Sequence, residues 1–130
     1  GGLGGGLEVA AVNGPGSTVV SGGEEGLAAL MGALEAEGVR VRRVPVDYAS
    51  HHSAVESVGD RLLRDLGSVA AGVSRVPFYS TVTGGVVEGP ELDAGYWFEN
   101  LRRPVEFAGV TRLLIEEGHS LFVEASAHPV

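Results

Sequence analysis

The chain has no cysteine, which excludes disulfides and thiolate metal sites and suits the reducing cytoplasm expected for it. Its four histidines, His51, His52, His119 and His128, are too scattered to make a zinc site without thiolates, so no metal is expected. Cations are scarce as well. Nine lysines and arginines face 17 aspartates and glutamates, and the net charge of −8 argues against a nucleic-acid or membrane surface. No apolar run approaches the roughly 20 residues that span a bilayer, and no signal peptide is visible. A phosphate loop is missing too: Gly14-Pro15-Gly16-Ser17-Thr18 lacks the lysine and the strand-to-helix context.

What is present suits one globular domain of 130 residues, 44% hydrophobic and 20% charged. Twenty-one glycines are many, and five fall in residues 1–6, which read as a flexible linker or loop. No internal repeat occurs. The chain starts and stops without natural end signals, so a fragment of a longer polypeptide is expected.

Leu7 to Val12 and Ser17 to Ser21 predict two antiparallel strands joined by the turn residues Asn13-Gly14-Pro15-Gly16. Leu27, Leu30, Met31 and Leu34 share one face of a helix over about 24–37, with Glu24 and Glu25 at its positive end and Gly38 at its stop. Val39 to Val46 alternates valine with arginine and predicts a half-exposed strand, with Pro45 at a sheet edge or bulge. Strand, strand, helix, strand is most of a ferredoxin-like unit. A helix comes next over about 53–66, with Val55, Val58, Leu62 and Leu66 inward. Then come a strand at 77–82, a hairpin at Gly84-Gly85, a helix start near Asp93, a helix over 107–117 stopped by Gly118, and a last strand at 121–124.

Between the alternating run and the helix opening near Ala54 lies Tyr48-Ala49-Ser50-His51, in a turn of the kind that places side chains at the mouth of a sheet. A histidine there can shuttle protons, although capping or packing would also account for it. The tetrad resembles the active-site motif of acyltransferase domains from modular type I polyketide synthases. The flanks share the resemblance. Ala10-Ala11-Val12-Asn13-Gly14-Pro15 lies upstream. Downstream come Pro77-Phe78-Tyr79-Ser80-Thr81-Val82-Thr83-Gly84, Tyr96-Trp97, Asn100-Leu101-Arg102-Arg103-Pro104-Val105 and His128-Pro129, in the family's order. The resemblance covers all but the first six residues.

The resemblance implies an α/β fold in which part of a ferredoxin-like small subdomain (7–46) precedes the C-terminal part of an α/β hydrolase-like acyltransferase subdomain (47–130). It implies that His51 is the general base on a serine hydroxyl, a poor nucleophile until a base takes its proton. The family's serine lies in a G-x-S-x-G elbow, which this chain does not contain, and the arginine that binds the extender carboxylate cannot be matched either. The chain alone is therefore expected to be inactive.

Asn100 occupies the place of the family's asparagine or glutamine, whose carbonyl oxygen orients the histidine; a helix C-cap before Pro104 is the alternative role. Asp47 is a second candidate orienter, or a turn residue. Tyr48 and Ser50 would shape the pocket for the α-substituent, the Y-A-S-H form going with methylmalonyl and the H-A-F-H form with malonyl units. One methylene is worth only about 1–3 kcal/mol, so the motif implies preference, not exclusion. Asn13 matches a family asparagine facing the cleft near the acyl-CoA, or is a plain turn residue.

The implied reaction moves a methylmalonyl or malonyl group from coenzyme A to serine and on to an acyl carrier protein, with neighbouring synthase domains as partners and no metal or redox cofactor. Arg40, Arg42 and Arg43 form a basic knot that could meet the acidic carrier protein or CoA phosphates; a solvated strand face is the alternative. Two rival functions are a standalone malonyl transacylase of fatty-acid synthesis and a non-catalytic ferredoxin-like binding or scaffold module. Departures from the family pattern are His52-Ser53-Ala54, where serine, any residue, then histidine is commoner, and Ala127, where proline is common.

Overall fold

The computed structural model describes residues 6–126. The glycines up to residue 5, and the tail with Ala127 and His128, lie outside them.

Strand β1 (Leu7–Gly14) turns back through Pro15 and Gly16 into β2 (Ser17–Gly22), antiparallel, with Leu7 opposite Gly22 and Gly14 opposite Ser17. Two register shifts interrupt the ladder, leaving Ala10 and Asn13 as the extra residues of two bulges. The opposite edge of β1 takes a third strand in miniature. Val105 N–H donates to the Ala10 carbonyl at 2.8 Å, and Val12 N–H donates to the Val105 carbonyl at 2.9 Å. Glu106 N–H then reaches the Thr81 carbonyl at 2.9 Å, so residues 105–106 stitch β1 to the segment after β3 (Phe78–Ser80). That strand pairs with β4 (Gly85–Val87) across a turn at Gly84, where φ is +78°.

Helix α1 (Glu24–Ala36) leans on β2 with Leu27, Leu30, Met31 and Leu34 half-buried. Gly38 ends it at φ +76°, with Gly38 N–H on the Glu35 carbonyl and Val39 N–H on the Leu34 carbonyl, so two leftover carbonyls are satisfied. Helix α4 (Phe107–Glu116) ends the same way at Gly118, through N–H groups of Gly118 and His119. Helix α3 (Ala94–Arg102) begins at Asp93, whose carboxylate accepts from Tyr96 N–H at 2.9 Å.

Three expectations need correction. Residues 39–46 form no strand, and residues 121–124 form none either. A strand exists only by pairing, and no described segment offers either stretch a ladder of donors and acceptors. The single helix expected over 53–66 is a 3₁₀ segment (Ser53–Val58) and then α2 (Gly59–Asp65). The break turns Val58 outward, while Val55 is buried and Leu62 and Leu66 are half-buried.

The buried apolar set is small: Leu7, Ala10, Ala11, Val55, Val82, Val87, Tyr96 and Val110. Around it, Leu121 and Val123 are each 82% exposed, and Val73 and Val76 nearly as open. The accessible surface is 9275 Å². A self-contained protein of 13.4 kDa would expose about 6,500 Å².

Gly89 should be intolerant of a side chain. Its φ is +116°, and a Cβ would stand 2.1 Å from the Gly72 carbonyl oxygen. Gly89→Ala is expected to lower stability by about 2 kcal/mol or more. Gly32→Ala, in α1 with open space around it, should raise stability by about 0.5–1 kcal/mol. Urea unfolding midpoints of the two variants, expected to move in opposite directions, check both.

Candidate active site

Val46 and Asp47 lead into a turn whose last residues are Ser50 and His51, and the 3₁₀ segment opens at Ser53. His51 is the one non-glycine with positive φ, +56°, among the described residues. A left-handed conformation costs a residue with a Cβ about 1 kcal/mol or more, so something must hold it there. The C-terminus of α3 does. His51 N–H donates to the Leu101 carbonyl at 2.8 Å, and its ring Nδ1 lies 2.8 Å from the Arg103 carbonyl oxygen.

These acceptors are free for a reason written in the sequence. Pro104 stops α3, and Val105, whose N–H would have closed the next helical turn onto Leu101, gives it to Ala10 instead. A carbonyl oxygen can only accept, so Nδ1 carries the proton and donates it. The unprotonated Nε2 is left to accept one. The helix end also faces its partial negative charge toward a ring that becomes cationic on taking a proton.

His52 has the opposite tautomer. Its Nδ1 accepts from Ala54 N–H at 3.0 Å, capping the 3₁₀ segment, so its Nε2 carries the proton and donates to the Gly6 carbonyl at 2.8 Å. Both nitrogens are spent on backbone groups and the ring is buried. Adjacent histidines thus divide into one held by backbone on one side only and one used up as structure.

An ionic cluster backs this turn. Arg102 Nη1 donates to Glu8 Oε2 at 2.8 Å, and its Nε donates to Glu56 Oε1 at 2.7 Å. Glu8 Oε1 accepts from Ser53 N–H at 3.1 Å. Hydrogen bonds from Ser53, side chain and backbone, together with the Arg102 guanidinium, hold the Glu8 carboxyl down at about 2 against the opposing effect of partial burial. The Arg102 guanidinium is pushed up, chiefly by its bond to Glu56.

Of the residues expected to form the site, Ser50 precedes His51 and is half-buried, while Tyr48 is 63% exposed. Asp47 lies in the bend before them. Asn13 is the exposed extra residue at the second bulge of β1, next to Val12, which is bonded to Val105. Asn100 is half-buried in the last turn of α3, and the oxygen on the His51 ring belongs not to it but to Arg103, three residues on. Arg103, Arg102, Glu8, Glu56 and Ser53 were not singled out for the site by the sequence. Only Pro104, as a helix stop, hinted at free carbonyls. No cluster of His, Asp or Glu among the described residues could hold a metal ion, and no helix among them is long and apolar enough to cross a membrane.

Residues 5–130 match the family described as the acyl transferase domain. Polyketide synthase GfsE of Streptomyces halstedii is 57% identical over 124 residues, 95% of this chain but 3% of that protein. The crystal structure of the acyltransferase domain from module 8 of the salinomycin polyketide synthase superposes with a TM-score of 0.95 at 53% identity, covering 98% of this chain and 30% of that one. More remote is the malonyl CoA-acyl carrier protein transacylase of Coxiella burnetii, at 26% identity and a TM-score of 0.79, over 89% of this chain and 37% of that one. The chain thus spans under a third of the salinomycin domain and a few per cent of the synthase.

Because the Glu8 carboxyl is depressed from 4.5 to about 2, its contribution is complete above pH 4.5 and is lost as pH falls toward 2. Glu8→Gln should lower stability by about 2 kcal/mol near neutrality. The gap in thermal midpoint between wild type and Glu8→Gln should close as pH falls from 4.5 toward 2, and melting curves across that range check it.

Proposed function

The chain belongs to the acyl transferase domain family, and from that premise we propose that it supplies the general base and part of the acyl pocket of a polyketide synthase acyltransferase. The observation that carries this is the His51 ring, with Nδ1–H fixed on the Arg103 carbonyl and Nε2 left to accept a proton. The nucleophilic serine and the carboxylate-binding arginine would come from the remainder of a longer polypeptide. The accessible surface, about 40% larger than a self-contained chain of this mass would show, supports a missing partner surface. By itself the chain would be inactive.

In the proposed reaction, His51 Nε2 takes the serine hydroxyl proton as the serine oxygen attacks the thioester carbonyl of an acyl-CoA. The C–S bond breaks and the imidazolium returns the proton to the departing CoA thiol. The second half runs alike: the phosphopantetheine thiol of an acyl carrier protein gives its proton to His51, its sulfur attacks the acyl-serine, and serine leaves with the proton. No oxidation state changes, and no metal or redox cofactor is needed. The setting proposed is cytoplasmic.

The extender unit proposed is methylmalonyl. Support comes from Tyr48 and Ser50, since a serine beside the base leaves room that a phenylalanine would fill. Asn13 would face the acyl-CoA from the β1 bulge, and Asn100 would act through α3, whose end holds the ring. Residues 7–46 would be part of a small subdomain and 47–130 part of the large one. Identity of 57% to a polyketide synthase against 26% to the fatty-acid transacylase favours the former. A non-catalytic scaffold would not require a histidine held in a strained left-handed turn.

In the basic knot, Arg43 forms a bidentate pair with Glu24 at 2.6 Å, leaving Arg40 and Arg42 as the exposed cations that a carrier protein could meet. Reversing the charge of both should slow carrier loading without changing self-acylation from CoA. Unchanged loading would dispose of the contact.

The chain completed with its nucleophile-bearing part, given equimolar malonyl- and methylmalonyl-CoA, should carry mostly methylmalonyl by intact mass. His51→Ala should slow acylation about 100- to 10,000-fold. Ser50→Phe should move the ratio toward malonyl by about 10-fold. Mostly malonyl adduct on the wild type would remove the specificity assignment and leave the base in place.

A further inference from the structure

Three consecutive residues at the end of α3 act in two directions. The carbonyls of Leu101 and Arg103 face His51, one on its backbone N–H and one on its ring. The side chain of Arg102, between them, reaches Glu8 on β1 and Glu56 on the 3₁₀ segment. Glu8 in turn holds Ser53 N–H, two residues beyond His51. The Arg102 side chain is 25% exposed, and its Nε and Nη1 bond separate carboxylates, a divided grip that a lysine ammonium reproduces poorly.

We propose that Arg102 is a positioning residue for His51: by anchoring the end of α3 to β1 and to the 3₁₀ segment, it sets the two carbonyls that hold the histidine backbone left-handed and its ring in the Nδ1–H tautomer. His51 has few other holds. Its turn comes after eight residues that belong to no strand and are tied by side chain to α1 through the exposed Arg43–Glu24 pair, a weak hold on the turn itself. The turn is therefore located by the 3₁₀ segment on its C-terminal side and by the end of α3 across from it, and Arg102 joins those two. The side chain touches no reacting atom; its effect passes through backbone carbonyls. That the positioned ring serves acyl transfer rests on the function proposed above, whereas the tautomer does not.

The test is ¹H–¹⁵N correlation of imidazole and amide groups on the uniformly ¹⁵N-labelled chain at about pH 8, where a neutral ring shows which nitrogen carries the proton. Wild type should show His51 protonated at Nδ1 and His52 at Nε2. Arg102→Ala should convert His51 to a mixture of tautomers, with the Val9 and Val20 amide signals of the β1–β2 hairpin retained. Arg102→Lys should restore only part of the Nδ1–H form. A folded Arg102→Ala chain still wholly Nδ1–H at His51 would overturn the proposal. Should that variant lose the hairpin signals, Glu56→Gln decides, since Glu56 is 58% exposed at its side chain and can be neutralised without burying an unpaired group. A partial shift toward the mixture supports the clamp, and no shift overturns it. In the completed domain, Arg102→Ala should lower kcat for acyl transfer by ~10- to 100-fold with KM nearly unchanged. Absence of any transfer by the wild type would sink the acyl-transfer function and leave the tautomer result standing.

Discussion

The end of helix α3 is the constraint on which the candidate site depends. Any helix leaves its last carbonyls without intrahelical partners, and most proteins spend them on water or a glycine cap. Here Pro104 removes one N–H from contention and Val105 sends its own to β1, so the leftover oxygens meet a histidine brought from 50 residues earlier. One of them holds the backbone in a conformation that a residue with a Cβ avoids; the other chooses the proton's place on the ring. Either bond alone would leave the imidazole free to turn or the turn free to relax.

That same junction explains why β1 matters beyond its hairpin. Its free edge receives Val105, which fixes where α3 ends, and its Glu8 receives Arg102, which fixes how the end is angled. Glu8 also bonds Ser53, so one short strand locates both sides of the histidine turn. Partly buried charges contribute little net stability when paired but are costly to leave alone. Their main effect here is on placement: three elements distant in sequence are tied within hydrogen-bonding reach of one another.

How much of this the sequence showed depends on where the cause lies. Helix stops at Gly38 and Gly118, the Asp93 cap and the Asn13–Gly16 turn are local chemistry, and each sits where its residues predicted. That a turn falls at His51 was legible too, because a β-branched run ends just before it. The oxygen against its ring was not. Sequence pointed to Asn100, a side chain with a carbonyl, while the structure uses the backbone of Arg103, and every residue has a backbone carbonyl. The Arg102–Glu8 pair joins residues 94 positions apart and has no periodic signature. The alternating run at 39–46 has the composition of a strand, but composition supplies only the side chains of a sheet and never the neighbour it needs.

The unpaired stretches and the excess surface have the same origin. Val39, Val44 and Val46 are half-exposed in a run outside any strand, and Leu121 and Val123 stand almost wholly open in another. Exposed apolar residues gathered in stretches outside any strand or helix gain little as loop. They support the proposal that this chain packs against a further part of a longer polypeptide. The residues around His51 are different: their hydrogen bonds close within the chain, through Leu101, Arg103, Glu8 and Ser53. For the base role proposed for His51, a ring ordered by its own segment leaves only the docking of two surfaces to set its distance from a nucleophile carried elsewhere.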